Sequence, residues 1–334
     1  MKIIVLMSSY NGEKYIREQI DSILAQDIAE DNTLELLVRD DGSTDSTQTI
    51  LEEYSQDGRL KWYSGQNLRT ARSFWQLIGD APEADYYAFA DQDDFWLEDK
   101  LSRAVGQLEA KAHKHETIAQ QHETTAQQHE TTVRQNKHSI PLLYCSHFTP
   151  TDEKLDPIAH KAADINNYTD FYHSLLYSTA PGCTFVFNRA ARNIMIRYRF
   201  DADCLEMHDW LAHKIVALFG KVILDRESRI YYRQHSDNVI GIGKTTGFAG
   251  FLLRLKGFIR RDTRNIRSEN AKYLYETYKQ YFRNRRNARF DVLHMLAFYR
   301  EDRNLKKQLL RSKCFATDGI SYPMFKLLVI MNMI

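Results

Sequence analysis

Cysteine is scarce in this chain of 334 residues. Its four thiols, Cys145, Cys183, Cys204 and Cys314, show no C-x-x-C spacing. That excludes a secreted disulfide scaffold and a zinc ribbon. Long apolar runs are missing too. Mean hydropathy is −0.52, and no stretch approaches the ~18 apolar residues of a membrane span. Net charge is nearly absent at +1, with 45 Lys and Arg against 44 Asp and Glu. Taken whole, the chain has no polyelectrolyte attraction for nucleic acid. What remains is an ordinary apolar fraction of 43%, enough for a full-sized core.

The small net charge hides two opposed halves. Residues 241–334 carry 20 basic and 7 acidic side chains, a net of +13, which leaves −12 on residues 1–240. Blocks of opposite sign have different partners. The division predicts a catalytic body over 1–240 and a basic, mainly helical region over 241–334, with Gly241, Gly243, Gly247 and Gly250 marking a linker. Phe248–Arg261 mixes bulky apolar and basic residues, as an interfacial helix does, and Arg283, Arg285, Arg286 and Arg289 add a second basic cluster. An anionic membrane surface is the expected partner, and nucleic acid is not, because Phe and Leu interleave with the charges.

Within the body, apolar strands alternate with helical patterns. Met1–Met7 is a buried strand rather than a signal peptide, since its short apolar run breaks into Ser8-Ser9-Tyr10-Asn11-Gly12 with no cleavage site. Strands follow at Thr33–Arg39, Leu60–Tyr63 and Asp85–Ala90, with helices at Glu13–Gln26, Thr44–Tyr54 and Ala71–Ile78. Further strands are expected at 142–148, 181–188, 221–225 and 228–232, and helices in the basic region at 251–261, 271–281, 290–299 and 305–310. This α/β alternation predicts a Rossmann-like sheet with ligand loops at the strands' C-terminal ends. A low-complexity insertion at about 111–138 holds three near-identical heptapeptides beginning at His115, His122 and His129. Histidines seven apart lie ~10 Å apart along a helix, too far to share one metal.

Three polar clusters fall at strand ends. Ser8-Ser9-Tyr10-Asn11-Gly12 offers N–H groups, hydroxyls and one aromatic face, suited to a nucleotide base. In Asp40-Asp41-Gly42-Ser43-Thr44-Asp45 a single helix cap needs only Ser43 or Asp45, so two adjacent carboxylates need a further reason. One of them can accept the imino N–H of uracil or thymine. Asp91-Gln92-Asp93-Asp94 crowds three carboxylates between an apolar strand and Phe95-Trp96. Such a group repels itself unless a cation compensates, and Mg²⁺ or Mn²⁺ favours these oxygen ligands.

In order and spacing these clusters resemble family 2 glycosyltransferases of the GT-A fold, particularly the rhamnosyltransferase-like branch of bacterial cell-surface polysaccharide synthesis. The resemblance covers about residues 1–110, and 140–240 more loosely. It implies that Ser8, Tyr10 and Asn11 line a base pocket, that Asp41 with Asp40 holds the pyrimidine, and that Asp91 approaches the ribose. It implies that Asp93 binds the divalent metal. Asn67 falls in the family's Asn-x-Gly region, where Arg69 replaces the glycine, and Arg69 or Arg72 meets phosphate oxygens instead. Met207-His208-Asp209-Trp210 matches the place of the catalytic carboxylate and makes Asp209 the general base; His208 stands where many members keep a first acid. His235 falls where a late histidine joins the metal or diphosphate.

The expected activity is an inverting, metal-dependent transfer of one sugar, rhamnose among the candidates. The donor is a dTDP- or UDP-linked sugar and the acceptor a glycan or lipid-linked one, at the cytoplasmic face of the membrane. The Gln-x-x-Arg-Trp motif of processive synthases is absent. The rival reading is a sugar-nucleotide or polysaccharide-binding module without catalysis, which keeps the base pocket and dispenses with Asp209. A dehalogenase-like phosphatase is excluded because its D-x-D lies near the N-terminus, whereas this one follows the fourth strand.

Overall fold

Ile3–Met7 are at most 1% exposed, as expected of a parallel strand covered by helices on both faces. The computed structural model describes residues 1–123, 140–158, 169–177, 179–199, 206–235, 265–283, 286–315 and 321–334. The chain divides into two units. The first comprises Met1–Thr169, Ser178–Arg197 and Met207–Asn238; the second comprises Asp170–Tyr177, Tyr198–Glu206 and Val239–Ile334.

The first unit starts with β1 (Lys2–Ser9), α1 (Ile16–Leu24), β2 (Thr33–Asp40), α2 (Thr47–Gln56), β3 (Lys61–Ser64), α3 (Arg69–Asp80), β4 (Tyr86–Ala90), β5 (Phe95–Trp96) and α4 (Lys100–Glu123). The elements from β1 to β4 follow the predicted order, and β5 and α4 add to it. Helix α2 starts later than Thr44 because Asp45 holds the turn ahead of it, accepting the Thr47 N–H at 3.0 Å and the Glu13 N–H at 3.1 Å. Helix α4 runs on into the heptapeptides; residues 124–139 lie outside the described part.

Next come β6 (Leu142–Ser146) and β7 (Thr149–Thr151), two strands where the sequence predicts one. A 3₁₀ turn at Gly182–Thr184 precedes β8 (Val186–Asn188), followed by α6 (Arg189–Met195), α7 (His208–Phe219), β9 (Lys221–Asp225) and β10 (Ile230–Arg233); α5 (Phe171–Ser174) belongs to the second unit. The main sheet has the order β3-β2-β1-β4-β8-β6-β9. It is parallel from β3 to β4, and β8 runs antiparallel to both β4 and β6. A small sheet, β5-β10-β7, sets Ile230 opposite Trp96 and carries β10 past the turn that follows β4.

The second unit holds α8 (Ile266–Phe282), α9 (Ala288–Phe298), α10 (Arg303–Arg311) and α11 (Ser321–Ile330). Tyr275 stacks on Phe290 at 4.7 Å, and Leu274, Tyr278, Leu293 and Leu296 are buried. It draws in two excursions from the middle of the chain: Arg267 donates to the Leu176 carbonyl at 3.2 Å, and Tyr198 packs on Tyr273. The expected helix at 251–261, the glycine linker, Arg285 and Cys204 lie outside the described residues. Among the described residues, no helix is long and apolar enough to cross a membrane.

Candidate active site

The loops after β1, β2 and β4 lie side by side because the strands before them are neighbours in register, with Ser9 opposite Asp40 and Met7 opposite Ala90. After β1, Asn11 adopts φ +48°, and its side-chain oxygen accepts the Thr44 N–H at 2.9 Å while its own N–H donates to Ser43 Oγ at 2.8 Å. Asn11 therefore ties the first loop to the second. Tyr10 is 47% exposed. Ser8 donates from Oγ to Ser73 Oγ at 2.6 Å.

After β2, Asp40 is fully buried. Its carboxylate faces six donors, including the Ser43 N–H and Oγ at 2.9 and 2.5 Å, the Gly42 N–H at 3.2 Å and Gln48 Nε2 at 2.8 Å; Ser9 and Ser64 complete the set. Six donors exceed the roughly four lone-pair sites of a carboxylate. Asp40 thus organises its own turn. Gly42 at φ +82° lets that turn close. Asp41 has two donors, the Arg39 guanidinium and the Leu68 N–H at 2.9 Å, and keeps acceptor capacity. Arg39 also reaches Ser73 Oγ and the Gln66 carbonyl, which ties the third loop to the same pair.

Asn67 and Arg69 are exposed, and Asn67 Oδ1 accepts the Arg69 N–H at 3.1 Å. Arg69 takes φ +62°. This is the left-handed conformation that glycine prefers, held here by an arginine at the start of α3. Arg72 lies half-buried one turn along the same helix.

After β4, the four side chains of 91–94 reach four different places. Asp93 Oδ2 meets His235 Nε2 at 2.7 Å. Asp94 Oδ1 accepts the Arg233 N–H at 3.2 Å, while Oδ2 is buried with no hydrogen-bond partner among the described residues. Gln92 turns to Tyr10. Asp91 feels Asp93, Asp209 and the Cys183 thiol. Desolvation and then the repulsion of Asp93 and Asp209 push Asp91 up to about 7, against a smaller opposing hydrogen bond from Cys183. Burial and then the repulsion of Asp93 and Asp91 push Asp94 well above its ordinary value. Behind them Lys100 is buried with Nζ 3.3 Å from the Trp96 ring centre, and burial lowers its pKa to about 7.

Arg233 on β10, 2% exposed, fixes this turn. It donates to the Asp93 carbonyl at 2.8 Å, to the Glu153 carbonyl and to the Glu18 carboxylate, with its guanidinium 4.5 Å above the Tyr15 ring. The sequence pointed to His235 but not to Arg233 or Gln92. The interleaved polar and aromatic run of Tyr231–His235 was the one signal for the former.

Asp209 sits in the first turn of α7, its Oδ1 accepting the Trp210 N–H at 2.6 Å and its Oδ2 the Gly182 N–H at 3.1 Å. Two backbone donors hold the carboxylate in place. His208 is different in kind. It stacks on Phe74 at 4.0 Å and meets Phe89 edge-on at 5.1 Å, with neither ring nitrogen hydrogen-bonded among the described residues. Burial lowers its pKa to about 3, so it is a neutral packing element at physiological pH.

Among the described residues, Asp91, Asp94 and Cys183 bring one ligand atom each within 4.8 Å of one another, while Asp93 and His235 meet each other directly at 2.7 Å beside them. The carboxylates of this cluster repel one another, and such oxygen ligands are those a divalent cation favours.

Comparison with known proteins agrees with this arrangement. Residues 4–164 match the model of glycosyl transferase family 2. A dTDP-rhamnosyl transferase, RfbG, of Shigella flexneri is 26% identical over 253 residues, covering 70% of this chain and 73% of that protein. A UDP-Glc:alpha-D-GlcNAc-diphosphoundecaprenol beta-1,3-glucosyltransferase, WfgD, of Escherichia coli is 33% identical over 104 residues, covering 31% of this chain and 40% of its own length. Among solved structures, S. aureus TarS 1–349 in complex with UDP superposes with a TM-score of 0.51 at 16% identity, covering 99% of this chain and 92% of that one. That likeness concerns the fold. With motifs, sheet order and sequence in agreement, the chain is a glycosyltransferase with the GT-A fold, and its residues 4–164 match glycosyl transferase family 2.

Proposed function

We propose that the protein transfers a single sugar, with inversion, from a nucleoside-diphosphate sugar to a glycan or lipid-linked acceptor. The observation that carries this reading is the convergence of Asp93 and His235, 142 residues apart, beside Asp91 and the tethered carboxylate of Asp209. Asp93 and His235 would hold Mg²⁺ or Mn²⁺, which when bound supplies counter-charge to the diphosphate. Tyr10 stacks on the base, the remaining acceptor capacity of Asp41 takes the ring N–H, and Asp91 meets the ribose. Asn67 and Arg72 lie towards the diphosphate.

Asp209 takes the proton of the acceptor hydroxyl. The hydroxyl oxygen bonds to the anomeric carbon from the face opposite the leaving group. The bond from that carbon to the phosphate oxygen breaks, and its electron pair leaves with the nucleoside diphosphate. General-base help of this kind is worth ~10²–10⁴ in rate.

The likeness to a dTDP-rhamnosyl transferase makes dTDP-rhamnose the first donor to test, and the second relative's diphosphoundecaprenol-linked substrate supports a lipid-linked acceptor. An anionic membrane surface on the cytoplasmic side fits the basic excess of 241–334 and the exposed Leu327, Ile330 and Met331 of and beside α11 (49%, 58% and 43% exposed). Incubation with dTDP- and UDP-sugars, with and without Mn²⁺, measuring released nucleoside diphosphate, tests the reading. Metal-dependent release from one donor in the presence of acceptor is expected; binding without turnover for every donor would favour the non-catalytic module.

A further inference from the structure

The variable residue inside the D-x-D has a task of its own. Gln92 Oε1 accepts the Tyr10 N–H at 2.8 Å, and Gln92 Nε2 donates to the Tyr10 carbonyl at 3.1 Å. One primary amide therefore satisfies both backbone groups of one residue, as a neighbouring strand would, at a point where β1 has ended and no ladder partner exists. The residue so held presents the exposed aromatic ring of the first loop. On either side of Gln92, Asp91 is assigned to the ribose and Asp93 to the metal.

We propose that Gln92 is a positioning residue that couples the metal-binding turn to the nucleotide-base loop, so that the base is held at a fixed distance from the cation. The proposal rests on the donor-site reading above. Three features of the loop support it. A carboxylate at position 92 could accept but not donate, and asparagine would be one methylene short, so the length and the amide are both required. Asn11 ties the far side of the first loop to Ser43 and Thr44, so that Tyr10 is held on both flanks. Finally, Gly12 lies against the clamp. A Cβ there would collide with the amide oxygen of Gln92 and stand 2.7 Å from its Cδ. Gly12 has an ordinary backbone conformation, so alanine would be tolerated by the chain and only the amide would have to move.

The test measures binding of Mn²⁺ with UDP or dTDP, and of Mn²⁺ with pyrophosphate, by calorimetry, together with donor KM and kcat. Gln92→Met keeps the bulk and removes both hydrogen bonds. It should weaken nucleotide binding and raise donor KM by about tenfold while kcat stays within about threefold. Pyrophosphate affinity should stay within about twofold, because that ligand lacks the base. Gly12→Ala should reproduce the nucleotide loss in the wild-type background and add little in Gln92→Ala, where the space is open. Thermal unfolding confirms that each variant is folded. Equal losses for nucleotide and pyrophosphate, unchanged nucleotide binding, or strictly additive effects of the Gly12 and Gln92 changes would each overturn the coupling. A wild-type protein that bound neither nucleotide would instead overturn the donor-site reading, and the coupling with it.

Discussion

Two acidic turns stand at the ends of neighbouring strand pairs, and they are alike in composition but opposite in physical state. After β2, Asp40 is surrounded by six donors and Asp41 is paired with Arg39 and the Leu68 N–H. After β4, Asp91 is pushed up to about 7 by desolvation and its acidic neighbours, and Asp94 keeps a buried oxygen without a partner among the described residues. The charge of the first turn is compensated within the protein. The second is short of positive charge, and that deficit, rather than the number of carboxylates, marks where a cation belongs.

The contrast can be broken at several points, and the largest effect lies on the deficient side. Asp209→Asn should lower turnover by ~10²–10⁴ while nucleotide binding measured by calorimetry stays close to wild type. On the completed side, Asp41→Asn leaves the buried Arg39 uncompensated. It should cost about 3–5 kcal/mol in chemical denaturation, with metal affinity per folded molecule retained.

Asp91→Asn probes the sign of the electrostatics without metal. A carboxyl whose folded-state pKa is raised contributes stability that is present below its ordinary value near ~4 and is lost as pH rises through about 7. Asn carries no such loss. The variant should therefore melt a few °C above wild type (~3–6 °C) above pH 7, with the gap closing towards pH 4. A variant that melts lower at pH 8 would show that the carboxylate is already compensated in the protein.

Much of the fold was legible because its signals are local. Apolar runs at Ile3–Met7 and Tyr86–Ala90, helical spacing between them and polar clusters at their ends predicted β1 to β4 and the loops that carry Tyr10, Asp41 and Asp93. A strand at 181–188 was legible, but the antiparallel pairing of β8 was not: it sets Tyr86 opposite Asn188 across the sequence. Nor was the recruitment of Asp170–Tyr177 and Tyr198–Glu206 into the second unit, which depends on contacts such as Arg267 to Leu176.

Within the site, the residues proposed to bear chemistry were visible, and those that hold them in place were not. Arg233 reaches Asp93 across 140 positions and Gln92 reaches Tyr10 across 82. Asp40 reads in sequence like Asp41; only the donor count around each carboxylate separates a turn organiser from a residue with acceptor capacity left.

The most direct test of the charge-deficit account is calorimetric titration of Mn²⁺, in the presence of UDP or dTDP, into wild type, Asp93→Ala and Asp41→Asn. The account predicts a single bound cation that Asp93→Ala abolishes and Asp41→Asn leaves in place. Retention of the cation by Asp93→Ala, or its loss from folded Asp41→Asn, would contradict it.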